Sequence, residues 1–425
     1  MKIKTKALPY EKVMAKKRAM HRNPLRPMML LHALIRMLAI PDLWRVKFRY
    51  ERENFKSLKD GPYLILMNHS SFIDLKIASK IFFPKRYNIV CTTDALVGKE
   101  WLMRLIGCIP TRKFVSDLRL MKDIAYALQE KKTSVLLYPE AGYSFDGRTT
   151  PLPRRMGLLV KKLGVPVLMV ETKGAFAHDP LYNGLQLRKV QVTATVKELF
   201  SRDDLETLTP AEMDTRIDEA FSFDQFAWQY ENGVEIKEDF RADGLERILY
   251  KCASCGTEGE MVGKGIHLIC KHCGKQYELL TNGRLEAKTG ETEFPHIPDW
   301  YRWERGCVKK EIEEGTYSLD TDVEIGMIVD YKALYMVGSG RLTHGKDGFH
   351  LTGCDGKLDY SQSPKASYCL NSDYFWYEID DMISIGNSDV LYYCFPKKKG
   401  VVTKTRLATE ELYKMVKPRR KEKAE

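Results

Sequence analysis

Leu64-Ile65-Leu66-Met67-Asn68-His69-Ser70-Ser71-Phe72-Ile73-Asp74 opens on four apolar residues and closes on the first acid of a helical pattern that spans residues 74–83. A short apolar run bounded by polar residues reads as a strand buried on both faces. The same grammar recurs downstream. Residues 63–67, 88–92, 134–138 and 165–170 read as buried strands, and residues 74–83, 116–131 and 155–163 as helices. Strand and helix in alternation predict an α/β sheet covered on its faces, here over residues 51–200.

The turn after the first strand carries chemistry. His69 stands five residues before Asp74, close enough for the chain to fold the carboxylate back onto the imidazole. A carboxylate that accepts the Nδ1 proton fixes the tautomer and leaves Nε2 free to take a proton from a hydroxyl. His69 is then a general base and Asp74 its orienting partner. Alone, a histidine and an aspartate at this spacing are common, and their meaning depends on what surrounds them.

Three further segments follow in order: Gly107-Cys108-Ile109-Pro110-Thr111-Arg112, Tyr138-Pro139-Glu140-Ala141-Gly142-Tyr143-Ser144 and Gly164-Val165-Pro166-Val167. With the His69 turn, these blocks resemble the four motifs of the glycerolipid acyltransferase family, whose best-known members are the 1-acylglycerol-3-phosphate acyltransferases. The resemblance covers roughly residues 61–170. It implies an acyltransferase fold and transfer from acyl-CoA or an acyl carrier protein to a lysophospholipid hydroxyl. Asn68, His69 and Asp74 match the catalytic block, Arg112 the second, Pro139 and Glu140 the third, and Val165 and Pro166 the fourth. By resemblance, Arg112 and Glu140 help bind the acceptor head group, with Asn68, Ser144 and Arg148 grouped beside them as substrate-binding residues. The third block departs from the family pattern: Ala141-Gly142-Tyr143-Ser144 stands where Gly-Thr-Arg-Ser is usual, so a tyrosine replaces an arginine. Arg148, Arg154 and Arg155 lie close downstream. The departure leaves the acceptor open between a lysophospholipid other than lysophosphatidic acid and a non-phosphate lipid hydroxyl.

A second signal is independent of the first. Cys252-Ala-Ser-Cys255-Gly256 and Cys270-Lys-His-Cys273-Gly274 are two Cys-x-x-Cys-Gly knuckles with 14 residues between them. Four thiolates so placed suit one tetrahedral ion, zinc before iron, in a closed and therefore structural site. His267 and His272 are bystanders, and the six other cysteines read as core residues. Ten cysteines in 425 residues, four of them in metal knuckles, point to a reducing compartment.

The formal charge of +11 suits an anionic membrane, nucleic acid or an acidic carrier. The segment around the knuckles has no dense arginine run with interleaved aromatics, which argues against nucleic acid. The apolar run 28–40 is too short to span a bilayer and is interrupted by His32 and Arg36, four apart on one helical stripe. Its remaining faces, with basic residues upstream, predict an interfacial segment over residues 1–50 that rests on an anionic membrane from the cytoplasmic side. Residues 201–250 read as a helical connector, 251–290 as a zinc ribbon, 310–418 as a β-rich domain with a closing helix that resembles a pleckstrin-homology barrel, and 419–425 as a charged tail. Two readings stand beside the first: acylation of another membrane-lipid hydroxyl or amine, and a non-catalytic lipid-binding scaffold.

Overall fold

The apolar runs pair side by side. A computed structural model of the chain describes residues 2–53, 61–114 and 118–416; the tail 419–425 lies outside the described residues. An arm with β1 (Thr5–Ala7) and α1 (Tyr10–Met14) leads into α2 (Met29–Arg45) and then a seven-stranded sheet. Its strands are β2 (Arg49–Glu53), β3 (Leu64–Met67), β4 (Tyr87–Thr92), β5 (Cys108–Thr111), β6 (Ser134–Leu137), β7 (Val167–Lys173) and β8 (Thr193–Phe200), in the order β2-β8-β7-β3-β6-β4-β5. Every neighbouring pair is parallel except β7 with β8. The helices α3 (Asp74–Phe82), α4 (Glu100–Ile106), α5 (Leu118–Gln129), α6 (Met156–Leu163) and α7 (Ala175–His178) make the connections.

Both sheet faces are covered, as parallel strands require. Ile65 and Met67 of β3 point into a core with Ile77, Ile81 and Leu136, while Leu64 and Leu66 point into the opposite core with Ile124, Leu128 and Val160. Parallel strands also end together. His69 follows β3, Arg112 follows β5 and Glu140 follows β6, so three motif blocks meet at the carboxyl edge, where open α/β sheets bind ligands. Strand β2, Arg-Tyr-Glu-Arg-Glu at the sheet's outer edge, has no apolar period to read, because an edge strand faces solvent.

After β8 come α8 (Arg202–Thr207) and α9 (Pro210–Ala220), opened by the capping boxes Ser201/Asp204 and Thr209/Glu212, and α10 (Gln225–Glu231). A second sheet is an antiparallel meander of β9 (Met261–Lys264), β10 (His267–Cys270), β11 (Gln276–Leu279) and β12 (Leu285–Ala287). The helix α11 (Ile297–Glu313) follows, in a stretch the sequence reading left without one. The C-terminal region is β-rich: β13 (Leu319–Met327), β14 (Leu334–Gly345), β15 (Gly348–Gly353), β16 (Leu358–Gln362), β17 (Asn371–Trp376), β18 (Asp380–Gly386) and β19 (Leu391–Pro396) run in the order β16-β15-β14-β13-β19-β18-β17, and α12 (Val402–Val416) closes it.

This last sheet leans on the carboxyl edge of the first. Tyr377 Oη donates to Asp94 at 2.9 Å, Gly98 N donates to the Tyr331 carbonyl at 2.8 Å, and the Phe145 and Tyr374 rings sit 5.0 Å apart. The arm ties the two together. Strand β1 pairs in parallel with β14, Ala19 N donates to the Val329 carbonyl, His21 Nε2 lies 2.9 Å from Asp123, and Asn88 donates to the Leu25 carbonyl at 2.9 Å. Residues 2–28 are therefore spliced into the fold on both sides. In α2 His32 faces inward, its Nε2 3.0 Å from the Ile106 carbonyl, while Leu30, Leu38 and Trp44 are 74%, 63% and 79% exposed. Among the described residues no helix is long and apolar enough to cross a membrane.

Candidate active site

The His69 turn is held from several directions at once. Asp74 Oδ2 lies 3.0 Å from His69 Nδ1 and accepts the backbone N–H of Ser70 at 2.9 Å and of Ser71 at 3.1 Å. Asp74 is buried, and its other oxygen has no hydrogen-bond partner, an unusual state for a buried carboxylate. Ser71 Oγ donates to the buried Asp179, and Ile73 N donates back to Ser71 Oγ at 3.1 Å. A turn this thoroughly bonded points Asp74 at the imidazole with little freedom.

The imidazole is also stacked. Tyr138 lies against the ring of His69 at 4.2 Å and Tyr143 at 4.3 Å between centroids, with interplanar angles of 28° and 35°. Nε2 has no hydrogen-bond partner among the described residues, and the side chain is 21% exposed. An imidazole anchored at Nδ1 and open at Nε2 has the arrangement of a general base. The two tyrosines were not among the sequence-predicted site residues. Their only signal was position, one before and four after the Pro139 of the third block.

Glu140 and Asn68, which the resemblance groups with the substrate-binding residues, both lie inside the fold. Glu140 is fully buried, its Oε2 accepting His69 N at 2.8 Å and its Oε1 accepting Thr150 N at 3.0 Å, so it braces the His69 loop. Burial pushes its carboxyl up to about 8, against the pull of those two N–H donors. Asn68 is fully buried as well. Its Oδ1 accepts Thr172 N at 2.8 Å and its Nδ2 donates to the Thr172 carbonyl at 3.2 Å, which fastens β3 to β7. Ser144, also buried, donates to the Arg148 carbonyl at 2.5 Å, and Ser144 N donates to the His69 carbonyl at 3.3 Å. Arg148 lies 3.7 Å from Asp224, which His296 Nε2 also meets at 2.8 Å. Arg112 is half-buried just past β5. Ala141 takes φ +54°, the left-handed conformation that the family's usual glycine adopts without strain.

The four cysteines do come together. Cys252 and Cys273 have sulfurs 3.8 Å apart, as do Cys255 and Cys270, and all four lie within 4.8 Å of one another. The two knuckles repeat each other bond for bond. Gly256 N donates to Cys252 O and Gly274 N to Cys270 O, both at 2.9 Å, while Cys252 N donates to Thr257 O and Cys270 N to Lys275 O, again both at 2.9 Å. Each glycine has φ +75°, which lets the backbone turn around the sulfurs. A tetrahedral ion about 2.3 Å from each sulfur sets the sulfurs about 3.8 Å apart. The four residues can hold a metal ion.

The class follows from the edge geometry together with one comparison. Residues 47–171 match the model of the family described as Acyltransferase, the span that contains β3 to β6 and the His69, Arg112 and Glu140 blocks. This part of the chain is an acyltransferase domain, and the protein is an enzyme that transfers acyl groups. Among solved structures it is similar to the 1-acyl-sn-glycerophosphate (LPA) acyltransferase PlsC from Thermotoga maritima, at 17% identity and a TM-score of 0.32, over 43% of this chain and 78% of that one. No curated protein matches it.

Proposed function

We propose that the protein moves a fatty acyl group from acyl-CoA or an acyl carrier protein to a hydroxyl of a lysophospholipid-like membrane lipid, with His69 as general base. The observation that carries this reading is the His69–Asp74 pair, closed at Nδ1 and open at Nε2 on the carboxyl edge of the sheet. Nε2 takes the proton of the acceptor hydroxyl as its oxygen attacks the thioester carbonyl. Asp74 stabilises the imidazolium that forms. The tetrahedral oxyanion collapses, the carbon–sulfur bond breaks, and the imidazolium returns its proton to the departing thiolate, giving an ester and a free thiol. No covalent enzyme intermediate is required.

Two further parts belong to this reading. The four cysteines hold a structural zinc, supported by their spacing and by the matched knuckles. The outer face of α2, with Leu30, Leu38 and Trp44 exposed and Arg22, Arg26 and Arg45 near it, rests on the cytoplasmic surface of an anionic membrane, where the acceptor resides. The test of the activity is an assay of purified protein with labelled acyl-CoA and a panel of lysolipids. Transfer that depends on His69 supports the reading. Transfer to no acceptor leaves the lipid-binding scaffold in its place.

A further inference from the structure

The imidazole of His69 is enclosed as well as anchored. The ring of Tyr138 lies 4.2 Å from it between centroids, with 28° between the planes, and the ring of Tyr143 lies at 4.3 Å and 35°. Two phenol rings cannot share one face of an imidazole at that separation, so each tyrosine takes a face. Both belong to the loop that follows β6. That loop is fixed to the His69 turn by Ser144 N, which donates to the His69 carbonyl at 3.3 Å, and by Glu140 Oε2, which accepts His69 N at 2.8 Å. Phe72 meets Tyr143 in turn, at 5.4 Å between centroids. With Asp74 3.0 Å from Nδ1, the ring is held at one edge and on both faces, and only the Nε2 edge is left open.

This enclosure treats the two protonation states of the ring differently. A neutral imidazole gains from it what packed aromatic rings gain. An imidazolium gains more, because the face of an aromatic ring is the negative part of its quadrupole, and a cation within about 6 Å of the centroid is attracted to it, most strongly where water is excluded. Both tyrosines stay neutral in this role: burial first, and then the Asp74 carboxylate, hold their hydroxyls well above the usual tyrosine range. The other charged groups around the base act through other atoms. Glu140 and Asp179 meet the turn at His69 N and Ser71 Oγ, and Arg112 stands past β5 on the same sheet edge.

We infer that Tyr138 and Tyr143 are positioning residues for acyl transfer: as a pair of aromatic faces they hold the plane of the His69 ring and stabilise the imidazolium that forms when Nε2 takes the proton of the acceptor hydroxyl. This rests on the reading of His69 as the base. Asp74 acts on the imidazolium within the ring plane, and the tyrosines act from above and below it. The sandwich serves the step in which the ring is charged, and it relaxes when the proton passes on to the departing thiolate.

The test is the pH profile of kcat/KM for the full chain, with labelled acyl-CoA and the lysolipid that wild type uses best, compared across Tyr138→Leu, Tyr138→Phe, Tyr143→Leu and Tyr143→Phe. Each leucine keeps bulk and removes the aromatic face. It is expected to lower the plateau about tenfold, within the range of one desolvated cation–π contact. It is also expected to move the acid limb toward lower pH by about 0.5–1 pH unit, because a less stabilised imidazolium releases its proton sooner. Each phenylalanine keeps the face and recovers most of both losses. An imidazole merely loosened into water would move its limb the other way, since solvation favours the charged form. A limb that stays or moves up in the leucine variants, or phenylalanines no better than leucines, therefore overturns the inference. Should Tyr138→Leu fail to fold by circular dichroism, the Tyr143 pair carries the same test. Loss of transfer in His69→Ala alongside leucine variants that behave as wild type removes this inference and leaves the base standing, whereas wild-type turnover in His69→Ala removes both.

Discussion

The cysteine site and the His69 site are built in opposite ways. The first is two copies of one local loop, Cys252 to Gly256 and Cys270 to Gly274, with identical backbone hydrogen bonds in each. The second is assembled at a sheet edge from residues far apart in the chain: His69 and Asp74 from one turn, Tyr138, Glu140 and Tyr143 from another, and Asp179 from a third. A local loop declares its chemistry in its spacing. An edge declares only the part that lies within one turn.

The strongest way to break that contrast is at the base. His69→Ala is expected to reduce transfer by roughly 10²–10⁴-fold, the usual contribution of a positioned general base, with an unchanged circular dichroism spectrum. Asp74→Asn is expected to be severe but milder, because the imidazole keeps its place and loses control of its tautomer. Wild-type turnover in His69→Ala would show that the edge works by other residues.

The sulfur site predicts a different failure. One zinc per chain is expected, with Zn–S distances of about 2.3 Å by X-ray absorption, and chelation should unfold β9–β12 because binding energy at a structural site is folding energy. Leu268 and Tyr277 of that sheet share one continuous core with Phe145, the residue just after the third block, so activity is expected to fall along with the metal. Elemental analysis that finds neither zinc nor iron removes the claim.

How much of this could be read in advance divides along the same line. The strands β3, β4, β6 and β7 were legible because buried parallel strands are continuous apolar runs, and the His69–Asp74 pairing because five residues of turn enforce it. The bracing of the His69 loop by Glu140 was not legible. A carboxylate's burial is a tertiary fact, and nothing within Pro-Glu-Ala-Gly tells that Thr150 and His69 will place their N–H groups on it. The helix α11 was missed for another reason. Ile297, Trp300, Tyr301, Glu304 and Val308 have helical spacing and are all buried, but Glu304 breaks the apolar stripe, since its carboxylate is turned inward to accept Lys251 N at 2.8 Å. The inward turn of His32 has the same origin, a carbonyl of Ile106 that no local pattern announces.

The membrane reading becomes testable without truncation. Deleting the first 40 residues would remove β1 and the contacts of His21 and Leu25, so loss of binding could not be told from loss of fold. Leu30→Gln, Leu38→Gln and Trp44→Gln together alter only exposed side chains. Sedimentation with anionic vesicles is expected to weaken by about tenfold, since insertion of such side chains stabilises binding at about 25 cal/mol per Å² buried. Added salt should weaken wild-type binding further without abolishing it, as screening leaves the apolar part intact. A triple variant that sediments like wild type moves the contact to another surface.

The smallest effect expected is a change of slope. Burial lifts Glu140 to about 8 and Asp179 to about 7, whereas unfolded carboxyls titrate near ~4. Between these values the folded chain holds protons that the unfolded chain has released, so stability falls as pH rises through the window. The contribution is present in full below the unfolded value and is lost as pH climbs through about 7 and then 8. Glu140→Gln cannot titrate, and its amide can accept only one of the two N–H groups that Glu140 serves. Its melting temperature is therefore expected to lie below wild type at pH 5 and to fall less steeply toward pH 8, with a difference in slope of about 2–4 °C across the window, the shift that ~1 kcal/mol gives a domain of this size. Transfer should weaken too, because the N–H it releases is that of His69. A melting curve parallel to wild type from pH 5 to pH 8 would mean that Glu140 is already ionised in its buried place, and that the two N–H donors outweigh the burial that surrounds them.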